Sequence, residues 1–176
     1  MEKQIVFFSK EQQLSLPIEK IEKIIQWQQP IPIPETSSFV LGVIEHNKHV
    51  LPVIDLNARL YGTETVQHKE MKIIVVQWND EFLGLSVESI KGIVDFGSTQ
   101  FEWMDNEVTV EKNYIEKFIK TESGIVIQLN IDSLFEGNIM LDKLLRALET
   151  AKYDEEKTEE DFTINSEPVD ETCQSK

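Results

Sequence analysis

Apolar and polar positions alternate in short runs along most of this chain, and the runs come in pairs divided by polar turns. Residues 4–8 and 12–16 flank Ser9-Lys10-Glu11, residues 71–78 and 81–85 flank Asn79-Asp80, and residues 114–120 and 125–129 flank Ser123-Gly124. Alternation at period two over such lengths predicts strands, and turn-forming residues between two of them predict hairpins. Leu41 to Ile44 and Val50 to Ile54 read as two buried strands joined by Glu45-His46-Asn47-Lys48-His49, while Pro30, Pro32 and Pro34 keep the stretch before them extended. Two segments follow another period. Ile18, Ile21, Ile24 and Ile25 stand at helical spacing behind Pro17, which a first helical turn tolerates, but their β-branched side chains suit an extended segment equally, so both readings stand. Leu141, Leu144, Leu145 and Leu148 make a stripe at i, i+3, i+4 and i+7 behind the capping signal Gly137-Asn138, which predicts one helix docked on its own chain.

The pattern is written twice. Leu14-Ser15-Leu16-Pro17-Ile18-Glu19-Lys20-Ile21 recurs 69 residues later as Leu83-Gly84-Leu85-Ser86-Val87-Glu88-Ser89-Ile90. Phe39 to Ile44 and Val50 to Leu56 recur 75 residues later as Tyr114 to Ile119 and Ile125 to Ile131. Two copies of about this length are small folds in their own right rather than solenoid units. Many short strands, duplicated, predict an all-β molecule with one C-terminal helix and two small barrels with a crevice between them.

Composition narrows the function. The chain has 176 residues, 40% apolar and 28% charged, a globular balance, and its apolar runs are far below the ~20 residues needed to cross a bilayer. The N-terminus enters a strand pattern without a secretory signal, and the single cysteine, Cys173, lies in a polar stretch, so a cytoplasmic location is expected. A net charge of −15 argues against nucleic acid, whose phosphates require clustered Lys and Arg. From Glu149 onward there are 10 acidic and 3 basic residues, so residues 153–176 read as a disordered acidic tail.

Candidate chemistry is sparse. His46 and His49 with Glu45 resemble metal ligands, but without a third convincing ligand they read as solvated turn residues, and neither metal nor cofactor is expected. Asp55 follows a buried strand, where its carboxylate serves as an acceptor for backbone N–H groups rather than as a catalytic base. No nucleophile elbow, phosphate loop or Cys-His pair is present. Trp78 reads as core; Trp27, beside the proline run, reads as exposed near a partner surface; Trp103 lacks the basic groove that base stacking needs.

Several phrases in fixed order resemble the CheW family of chemotaxis coupling proteins: Leu16-Pro17-Ile18-Glu19-Lys20-Ile21, then Ser37-Ser38-Phe39-Val40-Leu41-Gly42-Val43-Ile44, then Val50-Leu51-Pro52-Val53-Ile54-Asp55-Leu56, then Gly84 to Ile90. The resemblance implies two intertwined SH3-like five-stranded β-barrels, about 12–67 and 71–135 with the N-terminal strand shared, plus a helix over 138–152, all within one domain of residues 1–152. It implies a non-enzymatic adaptor that couples the cytoplasmic tip of a chemoreceptor to the regulatory domain of a CheA-like histidine kinase. It places Ile21, Gly42 and Asn47 of the first barrel, with Ser89 and Ile90 of the second, near the inter-barrel receptor groove; core packing for Ile21 and Ile90 and backbone geometry for Gly42 are equally open readings. The chain departs from the family where typical members read Asn-Leu-Arg-Gly, because Asn47 stands for the arginine and Lys48 for the glycine. The family's Leu-Leu-Asp-Ile becomes Gln128-Leu129-Asn130-Ile131. These departures leave a divergent paralogue, or a CheV-like protein without its receiver domain, as the alternative, with a small-molecule-binding or enzymatic barrel more remote.

Overall fold

Three hairpin turns are the clearest local consequence of sequence. Lys10-Glu11, Asn47-Lys48 and Asn79-Asp80 each hold both residues at positive φ (49° and 62°, 49° and 64°, 49° and 62°). That is the type I′ turn, whose twist matches the strands it joins. The structure is a computed structural model and describes residues 1–103, 114–138 and 140–149.

The strands are β1 (Glu2–Ser9), β2 (Gln12–Pro17), β3 (Ile21–Gln26), β4 (Val40–His46), β5 (His49–Asp55), β6 (Lys72–Trp78), β7 (Glu81–Val87), β8 (Ser89–Phe96), β9 (Phe101–Trp103), β10 (Ile115–Thr121) and β11 (Gly124–Leu129). Helices α1 (Leu56–Tyr61) and α2 (Ile131–Phe135) follow the last strand of each repeat, and α3 spans 140–149. The open segment after Pro17 resolves into a single 3₁₀ turn, Ile18–Lys20, and then strand β3. Pairing with β6 decides it: Ile24 stands opposite Ile74 and Ile25 opposite Ile73, and the backbone ladder to β6, which β-branched residues suit, outweighs the helical spacing even though Ile24 stays exposed and Ile25 half-buried.

One sheet runs β3-β6-β7-β5-β4 and the other β8-β1-β2-β11-β10-β9. Equating β1 with β6, β2 with β7, β3 with β8, β4 with β10 and β5 with β11 converts the first order into the second. The registers agree as well, since the parallel pair Val53 and Gly84 has its counterpart in Gln128 and Ser15. Each repeat therefore lends its leading hairpin to the other repeat's sheet. The boundary near residues 67–71 divides the sequence repeat but not the sheets. The short strand β9 adds a sixth member to the second sheet.

The first sheet curls on itself. Ile25 and Trp27, at its β3 edge, and Leu41, on its β4 edge, pack on one cluster of Ile44, Leu51, Val53, Ile73 and Val75. Trp27 is thus half-buried on the barrel's own core, contrary to the exposed position its neighbouring prolines suggest. A second cluster, Val6, Phe96, Ile119 and Val126, fills the other barrel-like sheet. The largest cluster joins the two: Ile5, Phe7, Leu14 and Leu16 of one sheet meet Ile54, Ile74, Leu83 and Leu85 of the other, capped by Phe135, Leu141 and Leu145. Trp78 belongs to it, edge-on to Phe135 at 5.8 Å. Helix α3 is capped by Asn138, whose Oδ1 accepts from Leu141 N–H at 2.9 Å, and its leucine stripe packs on its own chain as the spacing predicts. Residues 150–152 of the expected helix, and the acidic stretch with Cys173, lie outside the described residues.

Candidate interaction surface

Pro30, Pro32 and Pro34 remove every second donor from the segment that crosses the β4 edge, leaving Ile31 to make one bridge. Ile31 N–H donates to Val43 O at 2.8 Å, and Val43 N–H donates to Ile31 O at 2.9 Å. Val43 faces Pro52 across the β4–β5 pair, so its outward-turned backbone groups need nothing from the proline nitrogen. Gly42, buried with φ 141°, makes the strap feasible. A Cβ there would lie 2.1 Å from Ile31 O. Gly42 thus serves backbone geometry at an edge covered by the Ile31 strap.

The turn that follows carries Asn47 and Lys48, both exposed. Asn47 Nδ2 lies 3.3 Å from His46 Nε2, and His46 pairs with His49 across the turn. Beside them is a cavity of about 180 Å³ whose lining includes Glu22, His46, Asn47, Val50, Phe82 and Leu148. Val50 and Phe82 are 40% and 41% exposed, so the turn borders apolar surface that water reaches. Among the described residues no group of three or more His, Cys, Asp and Glu side chains is arranged to hold a metal ion.

Ile21 and Ile90 occupy the same place in the two repeats, at the starts of β3 and β8, and both pack half-buried on the joint cluster. Ser89 is exposed next to Ile90. The expected residues thus fall into two groups: Ile21, Ser89 and Ile90 at the seam, and Asn47 with Lys48 at the hairpin end of the first barrel. Glu22, the neighbour of Ile21, lines the cavity beside Asn47.

Asp55 is fully engaged as an acceptor. Its Oδ1 accepts from Ala58 N–H at 3.3 Å and from Thr65 Oγ1 at 2.7 Å, and its Oδ2 accepts from Thr65 N–H at 2.8 Å. It caps α1 and pins the polar linker, the structural role expected of it. Asn130, its counterpart, caps α2 by accepting from Ser133 N–H at 3.2 Å, so the amide keeps the hydrogen bond that the family's aspartate would make. A seam network was not visible in the sequence: Ser9 of β1 donates to Asn57 Oδ1, and Asn57 Nδ2 donates to Thr65 Oγ1 at 2.8 Å and to Glu88 Oε1 at 3.2 Å. Glu88 sits where the chain crosses between sheets, and its N–H donates to Phe8 O at 3.2 Å. Nearby, partial burial raises the Tyr61 phenol above its ordinary value while the Lys10 ammonium lies 5.4 Å from the ring centre.

A duplicated fold with exchanged hairpins is a specific arrangement, and it has known relatives. A family model described as a CheW-like domain matches residues 3–138. The chain belongs to that family. This CheW-like chain is 27% identical over 143 residues to the chemotaxis protein CheW of Bacillus subtilis, covering 81% of this chain and 88% of the relative. It is 28% identical over 126 residues to the chemotaxis protein CheW of Thermotoga maritima, covering 72% and 82%. The crystal structure of the scaffolding protein TtCheW from Thermoanaerobacter tengcongensis superposes with a TM-score of 0.70 at 26% identity, covering 78% of this chain and 94% of that one. No described helix is long and apolar enough to cross a membrane.

Proposed function

We propose that this protein is a non-catalytic adaptor of a chemotaxis array, holding the regulatory domain of a CheA-type histidine kinase against the cytoplasmic tips of chemoreceptors. The observation that carries the reading is the CheW-like match across both repeats, residues 3–138. Two barrels joined by one apolar cluster give a single body with separate faces, as a coupler requires. Its partners are folded proteins reached in the cytoplasm, and the seam around Ile21, Ser89 and Ile90 is the candidate receptor surface. Direct binding tests it. The full chain is titrated by calorimetry with the kinase's regulatory domain and with a receptor-tip fragment, in low and moderate salt; absence of heat with both overturns the proposal.

The β4–β5 turn favours a re-targeted member of the family. Asn47 has no fixed charge, and Lys48 presents a flexible ammonium where the family pattern places glycine. If the surface is only weakened, Asn47→Arg tightens binding to kinase or receptor; unchanged or weaker binding marks a surface with a different partner. Turn stability is measured alongside, since Arg at positive φ costs about 1 kcal/mol.

A further inference from the structure

The joint apolar cluster explains why the two repeats stay together but not why they stay at one angle, because hydrophobic burial has no direction. Besides the Ser9–Asn57–Glu88 network, a second directional contact is present where the repeats meet. Phe39 and Tyr114 are counterparts at the 75-residue offset, and each uses its carbonyl in the same way: Phe39 O accepts from Asp55 N–H at 2.7 Å, and Tyr114 O accepts from Asn130 N–H at 2.9 Å. One side chain lies within reach of both rings. The Arg59 guanidinium carbon lies 5.2 Å from the centre of Phe39 and 4.7 Å from that of Tyr114. Its Nε–H donates to Leu134 O at 2.8 Å. Leu134 is itself the counterpart of Arg59, at the same 75-residue offset.

Arg59 therefore lies close to the pseudo-twofold axis, held by both copies of one aromatic position and bonded to the carbonyl of its own equivalent. Only one guanidinium is needed there, and a second would bring two like charges together, which fits a leucine in the other repeat. The leucine's carbonyl belongs to the last turn of α2, where backbone oxygens lack helical partners, so Arg59 also satisfies an otherwise orphaned acceptor. A planar cation near two ring centres and anchored through one N–H tolerates little rotation.

We propose that Arg59 is the positioning residue that fixes the angle between the two barrels, and with it the relative placement of any surfaces they present. The proposal concerns the fold and holds whichever partners bind. It is tested on the full chain with Cys173→Ser, spin-labelled at Glu45→Cys in the first barrel and Glu122→Cys in the second. Pulsed dipolar spectroscopy reads the distance between them. The background gives a single narrow distance. Arg59→Met, which keeps the aliphatic bulk, replaces it with a broad or two-component distribution, and Arg59→Lys, which keeps a cation near the rings, restores part of the narrow one. An unchanged distance in a folded Arg59→Met protein, even with a lower melting temperature, overturns the proposal. Should Arg59→Met not fold by circular dichroism, Tyr114→Leu removes one of the two rings with the arginine retained; it must broaden the distance, and a narrow one overturns the proposal equally.

Discussion

Single residues in this fold are constrained most tightly where the backbone leaves the ordinary regions. Lys48 sits at φ 64° in a type I′ turn, a conformation that strains any side chain bearing a Cβ and that glycine adopts freely. Lys48→Gly relieves that strain at the cost of a more flexible unfolded chain, and a net gain of about 0.5 kcal/mol is expected. The midpoint of urea unfolding checks it; a loss of stability means the lysine makes a contact worth more than the strain. Gly42 is the opposite case. Gly42→Ala places a methyl group inside the Ile31 carbonyl at a φ alanine avoids, so a loss of about 2–4 kcal/mol is expected, with faster hydrogen exchange at the Ile31 and Val43 amides. If both amides keep their protection, the strap is not what requires glycine.

At the level of elements, strands and hairpins were legible because alternation and turn chemistry are local properties, and the three I′ turns fall where the polar breaks stand. The helix after Asn138 was legible for the same reason, and Asn138→Ala is expected to cost about 1 kcal/mol by leaving the Leu141 amide without its acceptor. A helical signal in circular dichroism that melts no earlier than in the parent would show that Leu141 and Leu145 hold α3 unaided. Less was legible where length or partner choice decides. Helices α1 and α2 have six and five residues, and β9 has three, too short for any periodicity to register. The segment after Pro17 was ambiguous because isoleucines at positions 21, 24 and 25 fit two periods, and only the facing strand β6 resolves them. Of the candidate site, the exposed Asn47-Lys48 turn was visible in sequence. Backbone geometry was an open reading for Gly42, but the Ile31 carbonyl that imposes it was not legible. Nor was the role of Arg59, whose aromatic neighbours come from before β4 and before β10.

For the whole molecule the exchange of hairpins has an energetic consequence that neither repeat shows alone. Strands β1 and β2 come from the first repeat, yet β2 pairs in parallel with β11 through Leu14 and Ile127, and β5 pairs with β7 through Val53 and Gly84. Removing either half exposes an unpaired edge in what remains and opens the joint cluster of Phe7, Leu16, Leu85 and Phe135, so neither half retains a closed core. The two barrels are therefore expected to unfold as one cooperative unit despite their separate interior clusters. Native-state hydrogen exchange monitored by mass spectrometry checks this directly. Under increasing denaturant, amides of β4–β5 and of β10–β11 should converge on one opening free energy, because either hairpin can leave only by breaking the pairing contributed by the other repeat. Two well-separated opening energies, one per sheet, would mean that the exchanged hairpins act as tethers between independent barrels. In that case the angle set at Arg59 could not survive the loosening of either one. A shared transition, by contrast, makes the junction as durable as the sheets themselves, which is the mechanical property a chemotaxis coupling adaptor needs to hold two partners in fixed relation.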